Sequence, residues 1–230
     1  MSESDSLPAD LKVMRHARAR RLKLRLDRVS GAPVLVLPPG VSLRQGHDFV
    51  RDHLDWIAER RDARPAGQPF ADGISFPFQN RRLTIRHQPG SRSAVQLQGG
   101  DLLVSGQLPH LNRRVTDWLK VEARSVLTAS ARAHASSLGK SVASIRIADQ
   151  KSRWGSCSSR AVLSFNWRLI LAPSSVLDYV AAHEAAHLAE MNHGPAFHAL
   201  VDRLCPDAPT SEEWLKQHGP SLRRWGQAAE

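Results

Sequence analysis

Cysteine is almost absent. Cys157 and Cys205 are the only two in 230 residues, too few for a secreted disulfide scaffold. No apolar run approaches the ~20 residues needed to span a bilayer, so no membrane-spanning segment is expected. The opening MSESDSLPAD is polar and acidic. It lacks the cationic start and apolar centre of a signal peptide and the Arg-rich, acid-poor character of a transit peptide. These absences lead to the expectation of a cytoplasmic protein. Acidic residues are outnumbered, 22 against 32 Lys and Arg, for a net charge of +10. Such a charge attracts anionic partners and leaves the fold open. What is present is ordinary for a globular chain: 41% apolar and 23% charged residues, with six Trp that need burial. Full disorder is thereby excluded, and the length allows one large domain or two small ones.

Residues 1–10 read as a disordered tail. Leu22-Lys23-Leu24-Arg25-Leu26 alternates with period two, as a half-buried strand does. After the Gly31-Ala32-Pro33 turn, Val34–Leu37 completes a β-hairpin that stops at Pro38-Pro39-Gly40. Ser42 is placed to cap a helix over about 43–62, with Val50, Leu54 and Ile57 on one face. Residues 63–80 carry Pro65, Gly67, Pro69, Gly73 and Pro77 and read as loop. Strands follow at about 81–87, 93–98 and 101–105. A long helix runs from Asn112 to about 138 and ends at Gly139. Ile145-Arg146-Ile147 is a further strand, and Lys151–Cys157 with Ala161–Trp167 forms a second hairpin. A helix opens at Pro173-Ser174-Ser175, with Ser175 and Asp178 in a capping-box relation, and breaks near Asn192–Pro195. Two more helices are expected at about 196–204 and 211–217. The fold class is therefore α+β: a basic β-rich module over 11–110 and a helical part with a small antiparallel hairpin sheet over 111–230.

The chemistry lies on the helix before Asn192. His183-Glu184-Ala185-Ala186-His187 is an H-E-x-x-H run. Residues i and i+4 share one helical face about one turn apart, so two imidazoles can bind one Zn²⁺. Glu184 falls beside that pair, within reach of a reacting water. A catalytic zinc takes three protein ligands and leaves one position open. His193, His198 and Glu190 are the candidates for the third. His198 on a continued helix would lie about 16 Å from His187 along the axis, and Glu190 would have to fold back. The break at Asn192, Gly194 and Pro195 allows His193 to turn over the site, which favours His193. A chance occurrence of the five-residue pattern, with the histidines as surface groups, is the bland alternative.

Arg153-Trp154-Gly155-Ser156-Cys157-Ser158, Asn166-Trp167-Arg168-Leu169, Asp178-Tyr179-Val180 and HEAAHLAEMNHGPAFH, in this order, resemble the YgjP-like zinc metallopeptidase family, related to the SprT/Wss1-type zincins. The resemblance is dense over about 145–218 and extends to the basic N-terminal module. It implies a zincin-like fold for 111–230, zinc as cofactor, ligation by His183, His187 and His193, and Glu184 as general base. The chain has Phe197-His198 where the family usually carries Phe-Trp.

The leading functional expectation is thus a zinc-dependent peptidase acting on peptide or protein substrates, with an edge strand near Ala161–Asn166 holding an extended peptide. The alternatives are a nucleic-acid-associated zinc protein acting on DNA-bound proteins, and a zinc-binding module without catalysis. Cys157 is expected as a small buried residue rather than a thiolate ligand. Trp154-Gly155-Ser156-Cys157 either lines the cleft beside the metal or forms a tight hairpin with Trp154 in the core. Tyr179 is expected as a core aromatic and Arg153 as a hairpin surface cation, with an oxyanion role the sharper option for both. The Arg15–Arg28 run reads as the wet face of a strand, capable at most of weak, non-specific nucleic-acid binding.

Overall fold

The computed structural model describes residues 6–27, 31–62, 67–90 and 93–227. The first half of the expected tail and Arg28 lie outside the described residues. The chain divides into two compact units, Met1–Pro65 and Ala66–Glu230.

In the first unit, β1 (Lys12–Arg15), β2 (Lys23–Leu26) and β3 (Pro33–Leu37) form a sheet of order β1-β3-β2. The β2–β3 hairpin is antiparallel as expected, and β1 adds to β3 in parallel. All four residues of β1 are exposed, so it carries no period-two alternation and sequence patterning misses it. The expected single helix is two, α1 (Leu43–Arg51) and α2 (Leu54–Asp62). Ser42 forms a full capping box with Gln45. The break follows because His53 N–H bonds to Val50 O, three residues back, tightening the turn. Leu35, Leu37, Val50 and Ile57 make the core. A Cβ at Gly46 would come within 2.6 Å of Leu37, so glycine lets α1 lie directly on β3.

The second unit begins with a four-stranded sheet, β4 (Ser75–Phe78), β5 (Arg81–His87), β6 (Val95–Gln98) and β7 (Asp101–Val104), in the order β4-β5-β7-β6. β4 lies in the stretch expected as loop. Its Pro77 is tolerated because β4 is an edge strand, where a missing N–H breaks no inner ladder. The helix α3 (Leu111–Ser137) buries Leu111, Val115, Leu119, Ala123, Leu127, Ala131 and Ala135, one residue per turn. These share a single apolar cluster with Phe76, Leu83, Ile85, Leu102 and Val104 of the sheet. Residues 66–110 therefore belong with the helical part, and the boundary expected at 110/111 lies at 65/66.

A second, three-stranded sheet holds β8 (Ser144–Ala148), β9 (Gly155–Cys157) and β10 (Val162–Asn166). The expected β9–β10 hairpin is antiparallel, and β8 joins β10 in parallel. The order β8-β10-β9 makes β10 the central strand. The edge expected at 161–166 is thus filled, and β9 is an edge instead. A 3-10 turn, Trp167–Leu171, leads to α4 (Ser174–Ala186), then α5 (Pro195–Leu204) and α6 (Ala208–Leu222). Nine of the thirteen residues of α4 are buried, which is how a helix apolar on all sides must sit. Its N-terminus uses no Ser175–Asp178 box. Asn80 Oδ1 accepts the Ser174 N–H at 3.1 Å, while Asp178 Oδ1 accepts from Ser130 Oγ at 2.6 Å and bonds His134 Nε2 at 2.9 Å. These two bonds tie α4 to α3.

Candidate active site

The helix α4 ends at Ala186, sooner than the apolar pattern suggests, with His187 as its C-cap. The chain then turns tightly: Leu188 N–H reaches Ala185 O and Ala189 N–H reaches Ala186 O. This early end lets residues 190–193 return over the last turn of α4. The His187 Nδ1–H donates to Glu190 O at 3.0 Å, which leaves Nε2 with its lone pair facing outward from that bond. His193 comes back until its Nε2 lies 3.3 Å from His183 Nε2. One ligand-capable atom from each of His183, His187 and His193 lies within 4.8 Å of the others.

Phe197 on α5 organises the three rings. It is 1% exposed. It stacks on His187 with centroids 4.4 Å apart and meets His183 and His193 edge-on at 4.9 and 4.7 Å. The sequence marks it as the Phe of the family's Phe-Trp pair, without disclosing its contact with the three rings. His198, its neighbour, is exposed and outside the cluster.

Glu184 lies on the same helix, 5% exposed. Its Oε2 is buried with no hydrogen-bond partner. Gly155 on β9 makes room for it: a Cβ there would sit 2.5 Å from Glu184 Oε1 and 2.6 Å from Cγ. Only glycine lets the carboxylate lie against the strand, a role that its place in a W-G-S-C run does not disclose. A cleft of about 290 Å³ is lined by Arg153, Gly155, Ser156, Cys157, His183, Glu184, His187, Met191 and His193.

The electrostatics follow from burial. Desolvation pushes the Glu184 carboxyl up to about 8, with the Arg153 cation pulling the other way. Burial, then the neighbouring imidazoles of His187 and His193, lowers His183 to about 4. Burial also lowers His187, opposed by its bond to Glu190. Neutral imidazoles are the form that binds a metal. Three nitrogens converging from His183, His187 and His193, with an unpartnered carboxylate beside them, suit a divalent cation of the zinc type.

The remaining marked residues fall differently. Arg153 is exposed, as expected of a surface cation, and it also lines the cleft. Cys157 also lines it, yet its Sγ donates to Ser158 O at 3.5 Å. Burial and the Glu184 charge raise its thiol to about 11, which keeps it protonated and poor as a ligand. Trp154 supports β9 from outside the cleft, under the Arg223 guanidinium at 4.2 Å. Tyr179 is buried, edge-on to His183 at 6.0 Å, and does not line the cleft.

No helix among the described residues is long and apolar enough to cross a membrane. No curated protein matches the chain. Among solved structures, the crystal structure of the metallopeptidase zymogen abylysin of Pyrococcus abyssi is similar at 18% identity, over 44% of this chain and 92% of its own, with a TM-score of 0.32. That likeness is too slight to carry an argument. The YgjP-like metallopeptidase-domain model matches residues 20–218, nearly the whole length, and the chain therefore belongs to the YgjP-like metallopeptidase family.

Proposed function

We propose that the protein is a zinc-dependent peptidase in which His183, His187 and His193 hold the metal and Glu184 is the general base. The observation that carries this reading is the convergence of three imidazole nitrogens within 4.8 Å beside a buried, unpartnered carboxylate. A bound zinc ion supplies Lewis acidity there, polarising a carbonyl and acidifying a water. The chain's own residues do the rest. Glu184 accepts the proton of the attacking water and delivers it to the leaving nitrogen. Gly155 and the apolar wall around α4 keep that carboxylate out of bulk water, where its proton affinity stays high. Arg153, the cation of the cleft, faces the charge that develops on the carbonyl oxygen. An edge strand, β9, offers main-chain groups to an extended peptide, which is held by its backbone rather than by its side chains.

A purely structural metal site is disfavoured by the donors themselves. Structural zinc sites are four-coordinate and thiolate-rich, whereas Cys157 stands outside the histidine cluster with its thiol held protonated. The test is a peptide-library cleavage assay on wild type and Glu184→Gln, with zinc content and circular dichroism measured on both. The amide keeps the size of the carboxylate and loses its basicity. Turnover is expected to fall by about 10²–10⁴-fold with zinc and fold intact. Equal turnover by the two proteins would remove Glu184 from the mechanism.

A further inference from the structure

We propose that the first unit docks on the phosphate backbone of double-stranded nucleic acid and does so without reading its bases. The surface is built by β1, β2 and the segment joining them. Lys12, Arg15, Arg18, Arg20, Arg21, Lys23 and Arg25 supply seven cations, and no Asp or Glu occurs between the first and the last. All seven are exposed. None makes an ion pair among the described residues. Among the described residues, the Arg15 guanidinium donates to Val41 O at 3.0 Å.

The register of the sheet arranges them. Lys12 and Arg25 both pair with Val34, from opposite sides, and Lys23 pairs with Val36. Residues paired across a sheet share a face, so these three cations stand on one side. Leu24, Leu35 and Leu37 take the other, against the core, and Arg15, paired with Leu37 at the end of β1, lies on that second side. Along β2 the two cations are about 7 Å apart, and across three strands the outer pair is about 10 Å apart. Arg18, Arg20 and Arg21 extend the array through the connecting segment. Unpaired, solvated cations spread over such an area match a polyanion whose charges recur every ~1.7 Å of axis. The kind of polyanion follows from what the surface lacks. No Phe, Tyr or Trp lies between Leu11 and Asp27, and His16 is the one ring of the stretch. A lone imidazole gives no platform for successive unpaired bases and no aromatic belt to anchor the face in a lipid interface. A rigid duplex backbone needs neither. Unpaired cations with no rigid donors aimed at base edges also give attraction without sequence discrimination.

This inference is independent of the peptidase reading, since it involves no residue of the cleft. Its test is fluorescence anisotropy of the full-length protein with two labelled duplexes of unrelated sequence, between about 50 and 200 mM salt. Both duplexes are expected to bind alike, with affinity in the ~10⁻⁴–10⁻⁶ M range near physiological salt and a log–log salt slope near −4 to −5. The combined Arg18→Gln, Arg20→Gln, Arg21→Gln and Arg25→Gln variant is expected to flatten that slope by about 3–4 units. Removing the same charge from exposed positions of the second unit, Arg132, Arg146, Arg160 and Arg203 to Gln, is expected to leave the slope unchanged. Circular dichroism checks that both variants fold. Equal flattening by the two variants would show that net charge alone is responsible and would overturn the proposal. So would tighter binding to phosphatidylserine vesicles than to duplex, strong preference for one sequence, or no binding at the lowest salt.

Discussion

The two units of the chain treat their polar side chains in opposite ways. In Met1–Pro65 the cations from Lys12 to Arg25 stand in water over a small core of Leu35, Leu37, Val50 and Ile57. In Ala66–Glu230 one apolar cluster runs from Phe70 to Trp225, and ionisable groups are sunk beside it, with Glu184 5% and His187 8% exposed. Water surrounds the first set. Desolvation around the second set shifts proton affinities and makes each group reactive. Long-range attraction requires exposure and bond-breaking requires burial. The fold separates the two requirements between its units.

The separation predicts unequal responses to substitution. Phe197→Ala removes a fully buried ring that touches all three histidines. It should cost about 3–5 kcal/mol of stability by denaturant titration and weaken zinc retention with it. Arg21→Gln, on the exposed face, should stay within about 0.5 kcal/mol of wild type. A Phe197→Ala protein as stable and as zinc-rich as wild type would break the comparison, because the imidazoles would then need no buried support. Gly155→Ala comes next. Its methyl group would displace the Glu184 carboxylate, an overpacking of about 1–3 kcal/mol. The expected result is a loss of turnover of about tenfold or more, mainly in kcat, with zinc content unchanged. Unchanged kcat would show that Glu184 does not need its place against β9.

A smaller effect than at Phe197 or Gly155 is expected at Asp178. The hydrogen bond from His134, aided by Ser130 and opposed by partial burial, holds its carboxyl below the ordinary value of 3.8. A depressed carboxyl contributes stability above its unfolded pKa and loses it as pH falls through the folded one. The difference between wild type and Asp178→Asn should therefore be present at neutral pH and disappear on acidification below about pH 4. Asp178 is about half exposed, so solvent screening keeps the gain under ~1 kcal/mol. A difference that grows in acid would contradict the assignment of the His134 bond as its cause.

Much of this architecture is legible in the sequence, and what is not has a common reason. The i, i+4 histidines, the breaker residues around His193, the long helix stopped by Gly139 and the two hairpins are local patterns. Each is set by residues within a few positions, and the long helix and the hairpins stand where the pattern puts them, whereas α4 ends at Ala186, before the break expected near Asn192–Pro195. The unread features depend on partners remote along the chain. β1 is fixed by pairing with β3 across more than twenty residues and shows no alternation of its own. Asn80 caps α4 from a different sheet, in place of the local Ser175–Asp178 box. The early end of α4 at Ala186 is tied to the His187–Glu190 bond and the return of His193. Gly155 and Phe197 look ordinary until the strand and helix that carry them meet Glu184 and the imidazoles.

The central claim is that the buried end of α4 and the returning His193 make one metal site. Elemental analysis of purified wild type, His193→Ala and His198→Ala tests it most directly, with circular dichroism to establish folding. The account predicts one zinc per chain in wild type and in His198→Ala, and loss of most of it in His193→Ala. Full zinc in folded His193→Ala, together with its loss in His198→Ala, would contradict the account and move the third ligand to α5.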